Sequence, residues 1–99
     1  MTSLSVDQVN SAGTARIRLI GQIDEAADYS PIKTAGIKQL IFDFEKIKLI
    51  NSTGLQGWIK FFSSIDKTIP ITFTSCSIRV ITQINMFPGF LGGRSVAID

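Results

Sequence analysis

The sequence predicts an α/β fold: a mixed β-sheet of about five strands that opens with a hairpin and has helices packed on it. Three stretches carry that expectation. Leu40-Ile41-Phe42-Asp43-Phe44 is nearly all apolar and rich in β-branched and aromatic types, which suits a strand covered on both faces. Behind it, after a short turn and Lys48-Leu49-Ile50, stand two good capping residues, Asn51 and Ser52. Leu55, Trp58, Ile59, Phe62 and Ile65 follow at intervals of three and four, so one helical stripe faces a core. Near the start, Ala15, Ile17 and Leu19 alternate with Thr14, Arg16 and Arg18, the pattern of a strand with one wetter face.

Taken in order, Leu4 to Val9 reads as the first strand and Asn10-Ser11-Ala12-Gly13 as the turn into the second, Thr14 to Ile20. Gly21 to Asp24 ends that strand. Asp24-Glu25-Ala26-Ala27-Asp28 reads as an acidic, capped entry to a short helix that Pro31 interrupts or restarts and Gly36 closes. The strand at 40–44 follows, then the helix from Ser52 to near Ile65, whose outward side carries Gln56, Gly57, Lys60, Phe61 and Ser64. An outward Phe61 four residues after Gly57 marks a contact patch, because Gly57 lets another backbone approach and Phe61 offers area to bury; the plainer alternative is that Phe61 lies under a loop. Ile69 to Thr74 is a strand whose Pro70 belongs at an unpaired edge. Ser75-Cys76-Ser77 offers caps for a further helix, with Ile78, Ile81 and Ile84 on one face and Asn85 as a stop. Met86 to Gly93 is an apolar loop broken by Gly and Pro. Its Met86, Phe87, Phe90 and Leu91 form a lid on the core or, if exposed, a lipid surface or the contact of a weak homodimer. Ser95 to Ile98 returns as a short last strand.

With 99 residues, 44% hydrophobic and 18% charged, the chain supports one core, so a single domain over residues 1–99 is expected. The net charge of +2 comes from ten Lys and Arg spread along the chain, without the basic run of a nucleic-acid footprint. The start has no basic region followed by an apolar one, and no apolar run is long enough to span a bilayer; a soluble, cytoplasmic protein without membrane insertion is the expectation. The lone Cys76 has no internal disulfide partner, and there is no histidine, which removes the commonest catalytic base and metal ligand. No residue set supplies a nucleophile with an adjacent base, so no enzyme, metal or cofactor is expected. Asn51-Ser52-Thr53 fits the N-glycosylation pattern, an accidental match in a chain without a secretion signal.

Two motifs carry a resemblance. Ile50-Asn51-Ser52-Thr53-Gly54-Leu55, placed after the strand at 40–44, is similar to the Asp-Ser-Ser-Gly-Leu signature of STAS domains, the family of bacterial anti-sigma factor antagonists. Gly21-Gln22-Ile23-Asp24 resembles the family's Gly-Glu-Leu-Asp turn. The likeness runs from the first strand pair to about Ile98, and its main departure is Asn51, where the family usually has Asp. It implies a STAS-like domain that binds an anti-sigma factor doubling as a serine kinase, or a similar ATPase-type protein, with Ser52 as the phosphorylated residue and Thr53 as the fallback acceptor. It implies that Asp24 lines the same groove as Ser52. It also implies one more helix after the last strand than the chain carries before Asp99, which leaves part of a sheet face uncovered.

Physical chemistry supports the choice of Ser52 without requiring it. A hydroxyl where a helix begins lies among unpaired N–H groups at the positive end of the macrodipole, where phosphate is stabilised. The plain alternative is an ordinary N-cap worth about 1 kcal/mol. An Asp in place of Asn51 could orient the hydroxyl or help assemble a kinase metal site; Asn keeps the hydrogen-bonding geometry and loses the charge, or is simply a second cap. The expected partner-binding surface comprises Asp24, Asn51, Ser52, Thr53, Gln56, Gly57, Lys60 and Phe61. Two other readings stay open: a non-phosphorylated STAS interaction subunit of a transporter or signalling assembly, and a nucleotide-binding STAS domain, although no Gly-rich phosphate loop is present.

Overall fold

The computed structural model describes residues 4–99. β1 (Ser5–Ser11) and β2 (Thr14–Ile23) form an antiparallel hairpin in which Ser11 faces Thr14. The two turn residues, Ala12 and Gly13, have φ of 50° and 85°, the pair of positive values that a two-residue turn needs to match the twist of its strands. β3 (Gln39–Ile50), β4 (Ile71–Thr74) and β5 (Ala97–Ile98) then add in parallel, one beside the next, so the five-stranded sheet has the order of the chain. Residues 24–38 connect β2 to β3, and α1 (Ser52–Ser63) connects β3 to β4. α2 (Ile78–Met86) and a 3-10 turn (Pro88–Leu91) connect β4 to β5. The expected mixed sheet with an opening hairpin is therefore the fold observed.

One face of the sheet holds the core. Ala15, Ile17 and Leu19 of β2, Leu40, Phe42 and Phe44 of β3, and Ile71 and Phe73 of β4 are all buried there. α1 lays Leu55, Trp58 and Phe62 on them, with Ile65 just beyond its end, while Gln56, Lys60 and Ser64 are exposed as the helical period requires. Trp58 is fully buried, with the rings of Phe42, Phe44, Phe62, Phe73 and Phe90 centred 5.0–6.2 Å from its own. Its indole N–H donates to the Phe90 carbonyl at 3.0 Å, so the one polar atom of that side chain is satisfied inside the core. Phe90 is thus the lid residue of its loop, whereas Met86 and Phe87 stay exposed.

Four expectations need correction. The helix after Asp24 is absent: residues 24–38 form turns. The Asp24 carboxylate accepts the Ala26 N–H at 3.0 Å and the Asp28 carboxylate that of Ser30 at 3.0 Å, local bonds that offer the backbone an alternative to a helix. Tyr29 and Ile32 anchor the segment by burial. Secondly, the turn expected after Phe44 is not there, since β3 runs on to Ile50. β3 carries two residues more than β2 across this stretch: Arg18 faces Asp43 and Ile20 faces Lys46, then Gly21 faces Ile47 and Gln22 faces Leu49. These bulges bury Phe44, Ile47 and Ile50, every third residue, and leave Glu45, Lys46 and Lys48 outside.

Thirdly, Ile78 is 80% exposed; Val80 is the buried residue of α2, with Ile81 and Ile84 half-buried. Two residues are roughly 200° of helical turn, so a helix seated on Val80 points Ile78 away. Lastly, Ile69 and Pro70 lie before β4, not in it, and the Pro70 carbonyl accepts the Leu40 N–H at 3.0 Å.

The opposite face of the sheet shows Val9, Arg16, Arg18 and Ile20 to solvent. Asp43 projects there yet is only 4% exposed, with Arg16 Nη1 at 3.9 Å and Arg18 Nε at 3.7 Å from its Oδ2, and with Oδ1 accepting the Glu45 N–H at 2.9 Å.

Candidate functional site

The start of α1 is tied into the chain by one residue. Asn51, and not Ser52, is the N-cap: it is extended (φ −105°, ψ 171°), and its Oδ1 accepts the Gly54 N–H at 2.8 Å. Its carbonyl accepts the Leu55 N–H at 2.8 Å, and its own N–H donates to the Ile23 carbonyl at 3.1 Å. The remaining end of the side chain, Nδ2, donates to Glu25 Oε2 at 3.1 Å. Both ends of the carboxamide are therefore engaged, one with the helix and one with the turn that follows β2. The Glu25 carboxyl is held below its ordinary value by a hydrogen bond from its own backbone and then by the Asn51 amide.

Gly54 makes the second tie. It is buried, and a Cβ placed on it would lie 2.1 Å from the Ile23 carbonyl oxygen and 2.4 Å from the Asp24 nitrogen. Only a residue without a side chain lets the first turn of α1 rest on the backbone of residues 23–24. That contact brings the Gly21-Gln22-Ile23-Asp24 turn against the segment from Asn51 to Leu55. Ser52 and Thr53 are exposed in the first turn of α1, which carries no acidic residue, and Asp24 is half-buried beside them.

Along α1, Gln56, Gly57 and Lys60 are exposed. Phe61 is not an outward patch. It is half-buried and stacks on Tyr29, with ring centroids 4.9 Å apart and planes 11° from parallel, so the loop reading of Phe61 is the observed one. The approach that Gly57 leaves open is taken by the same ring, whose Cε2 lies 4.0 Å from where a Cβ would be. The Tyr29 hydroxyl is buried without a hydrogen-bond partner among the described residues, and burial, with the charge of Asp24 behind it, pushes its pKa up.

The structure thus gathers Asp24, Asn51, Ser52 and Thr53 at one end of the sheet. Gln56, Gly57 and Lys60 continue along α1, and Phe61 lies beneath Tyr29. Glu25 and Tyr29 join this surface without having been singled out from the sequence. Glu25 was legible only as the residue next to the Asp24 turn, and Tyr29 carried no signal beyond its position before Pro31. The arrangement offers a hydroxyl and exposed polar groups on a rigid frame. Among the described residues no group of three or more Asp, Glu or Cys side chains is placed to hold a metal ion, and no helix is long and apolar enough to cross a membrane.

No family model matches the chain, and no curated protein matches it. Solved structures do. An anti-sigma factor antagonist from Mycobacterium paratuberculosis superposes with a TM-score of 0.70 at 15% identity, over 96% of this chain and 86% of that one. The anti-sigma factor antagonist SpoIIAA in its unphosphorylated form superposes with a TM-score of 0.54 at 16% identity, over 98% of this chain and 87% of that one. The chain has the α/β fold of anti-sigma factor antagonists, as its two motifs implied.

Proposed function

We propose that this chain is a cytoplasmic regulatory protein, not an enzyme, that acts as an anti-sigma factor antagonist. It binds an anti-sigma factor or a similar ATPase-type partner through Asp24, Asn51, Ser52, Thr53, Gln56, Gly57 and Lys60. The observation that carries the reading is Ser52 itself, an exposed hydroxyl in the first turn of α1, backed by a cap and a glycine contact that hold that turn to the Asp24 segment. A phosphate there would bring roughly two negative charges, which the helix start tolerates and a desolvated interface does not. Phosphorylation of Ser52 would then release the partner while the domain stays folded.

A second reading, an interaction subunit that is never phosphorylated, is favoured by one contact. Glu25 is hydrogen-bonded to the residue just before Ser52, so an incoming phosphate meets a carboxylate at its side. Mass spectrometry of the protein from its native cell, with calorimetric titration against a co-purifying ATPase-type protein, tests both. On the first reading phosphate is found on Ser52, and Ser52→Asp weakens binding roughly ten- to a hundredfold. Equal affinity of the variant and the wild type would remove Ser52 from the interface. Binding that Ser52→Asp weakens, with no phosphate on Ser52, would establish the second reading.

A further inference from the structure

On the exposed face of the sheet, away from α1, a cleft of about 280 Å³ is lined by Ser5, Ile20, Gly21, Gln22, Lys46 and Lys48. Two features of the strands shape it. Gly21 has φ of 111°, a conformation that only glycine takes without strain. The two extra residues of β3 swing its edge here, with Lys46 opposite Ile20 and Lys48 standing between the paired residues Ile47 and Leu49. Both lysines are exposed and line the cleft.

We infer that this cleft binds a small phosphate-bearing anion. Two ammonium groups supply positive charge with freely turning donors, the Ser5 hydroxyl and Gln22 carboxamide are further donors on the rim, and Ile20 gives an apolar wall for a short substituent. The volume lies just under the roughly 300–1,000 Å³ of sites for drug-sized ligands, which fits a phosphate with a small organic group. None of the lining residues belongs to the partner surface proposed around Ser52.

The test is a two-dimensional amide NMR titration with inorganic phosphate, ionic strength held constant with sodium chloride. Saturating shifts are expected at Ser5, Gly21, Gln22, Lys46 and Lys48, with a dissociation constant of about 1–10 mM. In K46Q/K48Q the affinity should fall about tenfold or more while the rest of the spectrum superposes on the wild type. If the double variant loses dispersion, K46Q and K48Q taken singly must each weaken binding. Shifts that grow without saturating, that centre on Ser52 to Gly54, or that persist unchanged in the lysine variants would overturn the assignment.

Discussion

Replacing Gly54 by Ala should be among the most damaging single-methyl additions to this chain. The added Cβ would lie 2.1 Å from the Ile23 carbonyl oxygen and 2.3 Å from its carbon, atoms of a strand backbone that cannot rotate away. Overpacking of this kind costs about 1–3 kcal/mol, and contact with backbone puts the cost at the upper end. Separating α1 from β2 would also stretch the Asn51 N–H bond to the Ile23 carbonyl, worth about 1 kcal/mol. Against this, Ala gains about 1 kcal/mol of helix propensity over Gly. The balance is a loss of about 3 kcal/mol, which for a domain of this size lowers the melting temperature by about 12–24 °C. Gly57→Ala is the matched control, because it lies in the same helix with only Tyr29 Cε2, at 4.0 Å, nearby. It should raise the midpoint by about 4–8 °C through propensity alone. Thermal and urea unfolding followed by circular dichroism and Trp58 fluorescence gives both values. A Gly54→Ala midpoint within about 3 °C of the wild type would refute the claim that α1 is seated on the backbone of residues 23–24.

Three further outcomes are expected. Asn51→Asp keeps the acceptor for the Gly54 N–H but sets a carboxylate against Glu25, so it should be less stable than the Glu25→Gln/Asn51→Asp double variant in urea unfolding at neutral pH; equal stabilities would mean that the side chains at positions 51 and 25 do not meet in solution. Tyr29→Phe removes a buried hydroxyl that has no partner among the described residues and should leave stability unchanged or raise it by up to about 1 kcal/mol; a loss of that size would show that the hydroxyl is hydrogen-bonded in solution. The pH dependence follows from the lowered carboxyl of Glu25: its stabilising contribution is complete above its ordinary value of 4.5 and is lost as the pH falls through the lower value it has in the fold, so Glu25→Gln should flatten the acid limb of the stability curve. An unchanged limb in that variant would refute it.

The hairpin and α1 were legible because a single period governs each: alternation from Thr14 to Leu19, and three-four spacing from Leu55 to Ile65. β3 was read only as far as Phe44 because its bulges replace alternation by burial of every third residue, and the exposed Glu45, Lys46 and Lys48 then look like a turn. The segment after Asp24 has the composition of a helix start, and its carboxylates do accept backbone N–H groups, but each closes a turn that goes no further. Ile78 misled because a short helix can be seated on Val80 as well as on Ile78, and only the neighbouring core decides. At the site, the motif located Asn51, Ser52 and Gly54. It could not say that Gly54 is fixed by the Ile23 carbonyl, or that Glu25 takes the free end of Asn51, since both are contacts across more than twenty residues.

The sheet order has a bearing on how the chain acquires its structure. Each strand joins the free edge left by the strand made just before it, so no strand has to be inserted between two that are already paired. A nascent chain leaving the ribosome can close the β1–β2 hairpin first, a contact that spans few residues, and then extend the sheet strand by strand as each connection emerges. The growing front is always the side that the next strand will cover. Two edges remain among the described residues: β5, two residues long and so a poor template for another molecule, and β1, the outer strand of the opening hairpin.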